Sequence, residues 1–226
     1  MKNITLQLKL RLIFITLAVS NLLLVGIQLL RYPPLLKVPG SLPYIIEPIM
    51  LLILYIGIIL WITEKTDTPR ATVLQIGTFI GLICSVLELI NLIREHFLHG
   101  GGRIDGSITL LFMLGLFLLW GVASFQVTRL TSSMSQGILA SIWTVVVTFL
   151  IGILFGFIQE FYLYVPDSAQ VATWQEFIRS GWKDIPAFTI ANTLDSASSH
   201  LFIGLLVALV FGAIGGGIGK LFARRK

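Results

Sequence analysis

The chain has 226 residues, 56% of them hydrophobic and 12% charged, with a mean hydropathy of +0.92, far from the roughly 25% charged usage of soluble domains. That composition excludes an ordinary soluble domain. A net charge of +5 scattered along the sequence rather than gathered on one face excludes a nucleic-acid footprint, and a single cysteine, Cys84, excludes an intrachain disulfide.

Six apolar runs follow one another, over about 12–30, 44–62, 72–93, 107–127, 138–161 and 199–222, each near the ~20 residues that cross hydrocarbon as a helix. Backbone groups in lipid must bond internally, so each run is expected to be helical. The fold class is therefore all-α, a polytopic six-helix membrane bundle forming one domain over 1–226. The first run follows Lys2, Lys9 and Arg11, but Arg31-Tyr32-Pro33-Pro34 stands where a cleavage site would be. It reads as an uncleaved span.

Lysine and arginine set the orientation. With the N-terminus inside, the inner segments carry ten basic residues (Lys2, Lys9, Arg11, Lys65, Arg70, Arg129, Lys220, Arg224, Arg225, Lys226) and the outer segments six (Arg31, Lys37, Arg94, Arg103, Arg179, Lys183). Both termini are expected in the cytoplasm.

The third span carries Gly77, Gly81, Ser85 and Glu88 at helical spacing. The fifth carries a row through Gly137, Ser141, Thr144, Thr148, Gly152 and Gly156 to Glu160, and the sixth one from Ser196 and His200 through Gly204, Ala208, Gly212 and Gly216. Lipid-facing surfaces gain nothing from glycine, whereas small residues let helix backbones approach. These three helices are expected to pack together, and their rows converge at one level on Glu88, Glu160 and His200. Glu88 falls roughly 7 Å inside its span at about 1.5 Å per residue. A charge in the membrane centre costs on the order of 3 kcal/mol on insertion scales, so a carboxylate there needs a partner, water or a proton. Those three residues are the candidate proton or cation site, with Asn91, Arg94, Asp195 and the mid-span Asn21 as supporting polar groups.

The outer loop from about 162 to 198 contains Thr173-Trp174-Gln175-Glu176 at capping-box spacing, and Trp174, Phe177, Ile178 and Trp182 at helical spacing. A short amphipathic helix closed by Gly181 is expected there, lying on the membrane surface through Trp174, Phe177 and Trp182. Pro186 is expected to begin a second short helix, with Asp195 or Ser196 capping the last span.

No catalytic constellation emerges. Ser199-His200 lacks a glycine-any-serine-glycine nucleophile string, and phosphate-loop, HExxH and dinucleotide fingerprints are absent. His96, His99 and His200 with Glu95 and Asp195 have zinc-ligand chemistry, but the i, i+3 pair followed by Gly100-Gly101-Gly102 reads as a helix end, so no metal and no cofactor are expected. The expected partners are the lipid bilayer and other membrane subunits or a second copy. Two functions fit: a transporter-like or permease-like protein with its ion site near the outer face, or a non-catalytic subunit that docks other membrane proteins through glycine-rich faces.

Overall fold

The computed structural model describes residues 2–64, 67–97, 103–163 and 171–223, with side chains described throughout these except at 2–5, 95–97 and 103–105. Every regular element among them is helical: α1 (Lys2–Arg31), α2 (Leu42–Glu64), α3 (Thr68–Phe97), α4 (Arg103–Thr131), α5 (Met134–Ile158), a six-residue α6 (Gln175–Ser180) and α7 (Ile185–Leu221). All but α6 are long and apolar enough to cross a membrane.

The connections follow from local chemistry. Pro33 and Pro34 cannot donate to a continuing helix, so α1 gives way to a 3-10 turn (Pro33–Lys37) that buries Leu35 completely. Gly40, at φ +82°, then turns the chain into α2 in a conformation that side chains rarely adopt. Between α4 and α5 the left-handed residue is Ser132, at φ +58°, whose N–H closes α4 on Thr128 O at 2.7 Å. Ser133 follows as the N-cap of α5, its hydroxyl accepting from Gln136 N–H.

The first large difference from the sequence reading is α7. Neither Asp195 nor Ser196 caps a helix, and Pro186 starts no separate element. Asp184 is the N-cap, accepting from Ala187 N–H at 3.0 Å, Pro186 occupies the first turn, and the helix runs unbroken to Leu221. At about 1.5 Å per residue its 37 residues span about 55 Å, well beyond the ~30 Å of hydrocarbon. The expected loop is shortened from the other side too, since α5 continues into a π-helical turn (Gln159–Leu163) that carries Glu160.

Helix α5 is the axis of the bundle. Its spanning segment is 72% buried, against 22–39% for the other five, which matches its apolar character on every face. Helices α1 and α3 run parallel to it. Phe14 of α1 meets Trp143 edge-on at 5.2 Å between ring centroids, and Trp143 donates from Nε1 to Thr78 of α3 at 2.8 Å. On α3, a Cβ at Gly77 would lie 2.8 Å from the Trp143 ring, and one at Gly81 2.6 Å from Val147 Cβ. Helix α7 runs antiparallel to α5, with Gly204 against the Phe149 ring and Gly212 against Ser141, whose hydroxyl donates to Ala208 O at 2.9 Å.

Helices α4 and α7 run parallel and touch backbone to backbone. A side chain at Gly215 would collide with Gly121 O, and one at Gly219 would lie 2.6 Å from Phe125 O. Ser124 donates to Gly212 O at 2.6 Å beside this crossing. Gly216 faces Met134, Ser124 and Thr128. Toward the α3–α4 and α5–α7 loops, the far end of the bundle from the chain termini, residues of α4 and α7 both line the cavity described next.

Candidate functional site

The cavity measures about 900 Å³ and lies among α3, α4, α5, α7 and the segment before α6. Glu88, Glu160 and His200 all line it. Phe112, Met113 and Phe117 of α4 and Phe149 and Phe157 of α5 line it as well. The lining thus combines aromatic rings with carboxylates, imidazole, amide and hydroxyl groups.

Glu88 is seated over Gly152, where a Cβ would come within 3.2 Å of Glu88 Cγ. Its carboxylate is largely buried, and Oε1 stands 4.0 Å from Nε2 of His200, an ion-pair separation. The other imidazole nitrogen, Nδ1, is 2.7 Å from Ser196 O, one turn back on α7. A carbonyl oxygen only accepts, so Nδ1 carries a proton and Nε2 is the nitrogen presented to Glu88. Phe149 packs edge-on against the imidazole at 5.7 Å and edge-on against Trp120 at 5.8 Å.

Glu160 occupies the π turn at the end of α5, a local irregularity that recurs at functional sites. It lines the main cavity and also a smaller one of about 260 Å³ between α1, the π turn and the start of α7. Gly156, one turn earlier, also lines the main cavity, and nothing lies within 4 Å of where its Cβ would be.

Among the supporting groups, Asn91 lines the cavity, and Arg94 donates to Asn91 Oδ1 at 3.1 Å and to Thr109 of α4 at 2.6 Å, linking α3 to α4 at the cavity's edge. Asp195 is half-buried on α7 beside Ser196. Asn21 lies apart from the cavity. It is fully buried in α1, donates to Leu17 O at 3.1 Å and to Leu150 O of α5 at 3.0 Å, and so ties the first helix to the axis.

The loop side chains separate. Trp174 lines the cavity, whereas Phe177 and Trp182 pack on Phe188 at the start of α7, with Trp182 also edge-on to Tyr44 of α2. The N-cap of α6 is Trp174, without a side-chain cap bond, rather than Thr173. Gly181 ends the helix at φ +69°. His96 and His99 lie outside the residues whose side chains are described, and among those described no group of three metal-ligating residues comes together.

Residues that the sequence reading did not assign to the site complete it. Asn192, Thr193, Ser196 and Ser199 line the cavity with His200 because α7 is already helical there. At the same end Tyr32 donates to both oxygens of the capping Asp184, at 2.7 and 2.6 Å, closing the α1–α7 corner. That carboxylate holds the Tyr32 hydroxyl in its protonated form and pushes its pKa up to about 12. Comparison of the chain with known protein families, curated proteins and solved structures returns no match.

Proposed function

We propose that the protein is a small multi-pass permease whose cavity takes up a proton or cation at Glu88 and His200, with Glu160 as a second carboxylate on the way in. One observation carries this reading: a buried carboxylate and an imidazole face each other across a cavity, with the imidazole orientation fixed from behind by Ser196 O. With Nδ1 protonated, the pair is balanced when it holds one further proton, on Nε2 or on the carboxylate. Such a pair exchanges a proton for another cation at little electrostatic cost, which is the elementary step of coupled transport.

The excess of lysine and arginine on the terminal side supports a topology with both termini in the cytoplasm and the cavity facing outward. On that topology α6, with no buried residue, lies along the outer membrane surface, and Phe177 and Trp182 anchor it to the start of α7.

The alternative, a scaffold docking other helices through its glycine faces, has less support. Gly77, Gly81, Gly204, Gly212 and Gly216 abut side chains of this same chain, Gly152 abuts Glu88, and Gly156 faces the cavity. Of these, only Gly156 has open space beside it, and that space is the cavity.

The test is proton movement in liposomes loaded with a pH-sensitive dye and subjected to a pH step. Native protein is expected to dissipate the gradient, and Glu88→Gln to abolish that activity with the same amount of folded protein. Unaltered flux in Glu88→Gln and Glu160→Gln would overturn the reading.

A further inference from the structure

The link from α2 into α3 reads Glu64-Lys65-Thr66-Asp67-Thr68-Pro69-Arg70. Asp67 starts the helix: its carboxylate accepts the N–H of Arg70 at 2.8 Å and its carbonyl that of Ala71 at 3.1 Å, with Pro69 in the first turn. The Arg70 side chain is only 4% exposed, yet its Nε and Nη1 are enclosed without a hydrogen-bond partner. The acids beside it in sequence, Glu64 and Asp67, are exposed, and among the described residues no carboxylate forms an ion pair with it. Its charge instead meets the Trp61 ring of α2, whose centroid lies 5.4 Å from the guanidinium carbon.

Burying an unpaired guanidinium costs more than one aromatic face returns. What complements it is an anion with several acceptor oxygens. The planar fork of arginine matches the oxygens of a phosphate in pairs, and its charge persists at any ordinary pH. The position agrees with that chemistry. Arg70 stands in the first turn of the spanning segment Thr68–Arg94, and Glu88 follows about 27 Å along the helix at the ~1.5 Å rise per residue. Arg70 is thus at the opposite end of the bundle from the main cavity, where on the membrane reading proposed above a spanning helix leaves the headgroup layer. The positive end of the α3 dipole points the same way. Trp61, 52% exposed at the matching end of α2, is an aromatic residue of the kind that collects at such a boundary. Arg11 of α1 is engaged, by contrast, donating to Thr63 Oγ1 at 2.9 Å.

We infer that Arg70, backed by Trp61, is a binding site for a phosphate group, carried by a lipid headgroup or by a soluble phosphate. The site is separate from Glu88 and His200 and stands or falls without them. Nη2, the guanidinium nitrogen that is not enclosed, is the donor an incoming oxygen meets first, and the half-exposed Trp61 ring is the cover that moves to admit a second.

The experiment follows thermal unfolding of the full chain in maltoside micelles, because a ligand that binds only the folded state raises the midpoint as its concentration rises. The probes are inorganic phosphate, against chloride at matched ionic strength, and phosphatidic acid, against diacylglycerol with the same acyl chains. A rise with phosphatidic acid and none with diacylglycerol is expected. If inorganic phosphate also raises the midpoint, a soluble phosphate suffices as the ligand, and if it does not, the ligand is a lipid headgroup. Arg70→Lys keeps the charge and loses the fork, so at least tenfold more phosphatidic acid should be needed for the same rise. Arg70→Met should abolish the rise. Arg129→Gln, which removes an exposed charge at the same end of the bundle, should leave it unchanged. No rise with either phosphate probe, or an equal rise with diacylglycerol, would overturn the inference, and neither result needs a variant to fold. A rise that Arg70→Met retains, or that Arg129→Gln diminishes as much as Arg70→Met does, would overturn it too, since the phosphate would then be held elsewhere or by net charge alone.

Discussion

His200 Nε2 lies 4.0 Å from Glu88 Oε1 while its Nδ1 is held at 2.7 Å by Ser196 O, so one residue on α7 and one on α3 share a direction set by a third. Their coupling should be measurable. In a double-mutant cycle of Glu88→Gln and His200→Gln, the effects on unfolding in mixed micelles are expected to be non-additive by about 0.5–3 kcal/mol, the range for residues in direct contact. Coupling within about 0.3 kcal/mol of zero, the additivity expected of independent sites, would mean that the two side chains merely share a cavity. His200 is partly exposed, which favours the lower half of the range.

The α4–α7 crossing predicts a contrast between two glycines. Gly215→Ala puts a methyl against the carbonyl oxygen of Gly121, which is backbone and cannot swing aside, so the helices must separate. A loss of about 1–3 kcal/mol is expected, as for other overpacked sites. Gly156→Ala adds the same methyl where nothing stands within 4 Å, and alanine's higher helix propensity favours a gain of up to about 1 kcal/mol. Thermal unfolding of the two variants in one detergent compares them directly, and equal behaviour would contradict the close approach.

What was legible beforehand divides along physical lines. The six spans were readable because lipid contact selects long apolar runs, and Glu88 stood out as an acid on a face of small residues. The start of α7 was not legible. Asn192, Asp195, Ser196 and Ser199 lower the hydropathy of its first turns, and a polar stretch reads as loop when hydropathy reports only lipid contact. Several of those residues are polar because they line a cavity. The Gly121–Gly215 crossing was hidden for a different reason: α4 contributes a single glycine to it, and one glycine in an apolar helix forms no row.

The Tyr32–Asp184 contact predicts a pH-dependent contribution to stability. The folded pKa of Tyr32 is raised from 10.0 to about 12, so the bond contributes fully below pH 10 and is lost as pH rises through about 12. Tyr32→Phe should be less stable than native protein by about 1 kcal/mol below pH 10, the low end for a bond to a charged group at an exposed site. The difference should shrink between pH 10 and about 12. Unfolding at several pH values, with tyrosinate absorbance followed in parallel, measures it, and a difference that does not change with pH would show that the hydroxyl bond contributes nothing.

Gly204 tests whether the imidazole is held in place from its back. A Cβ there would collide with the Phe149 ring, and that ring packs against His200 on one side and Trp120 on the other. Gly204→Ala therefore has to move Phe149, and Phe149 can move only with His200 or into the cavity. The variant is expected to lose about 1–3 kcal/mol of stability by overpacking and to shift the imidazole nitrogen resonances of His200. Repeating the substitution on a Phe149→Leu background should restore most of the stability, because the smaller side chain vacates the volume that the methyl needs. Loss of stability without rescue would place the strain in the α5–α7 backbone instead of the ring, and unshifted His200 resonances would mean that Phe149 does not position the imidazole.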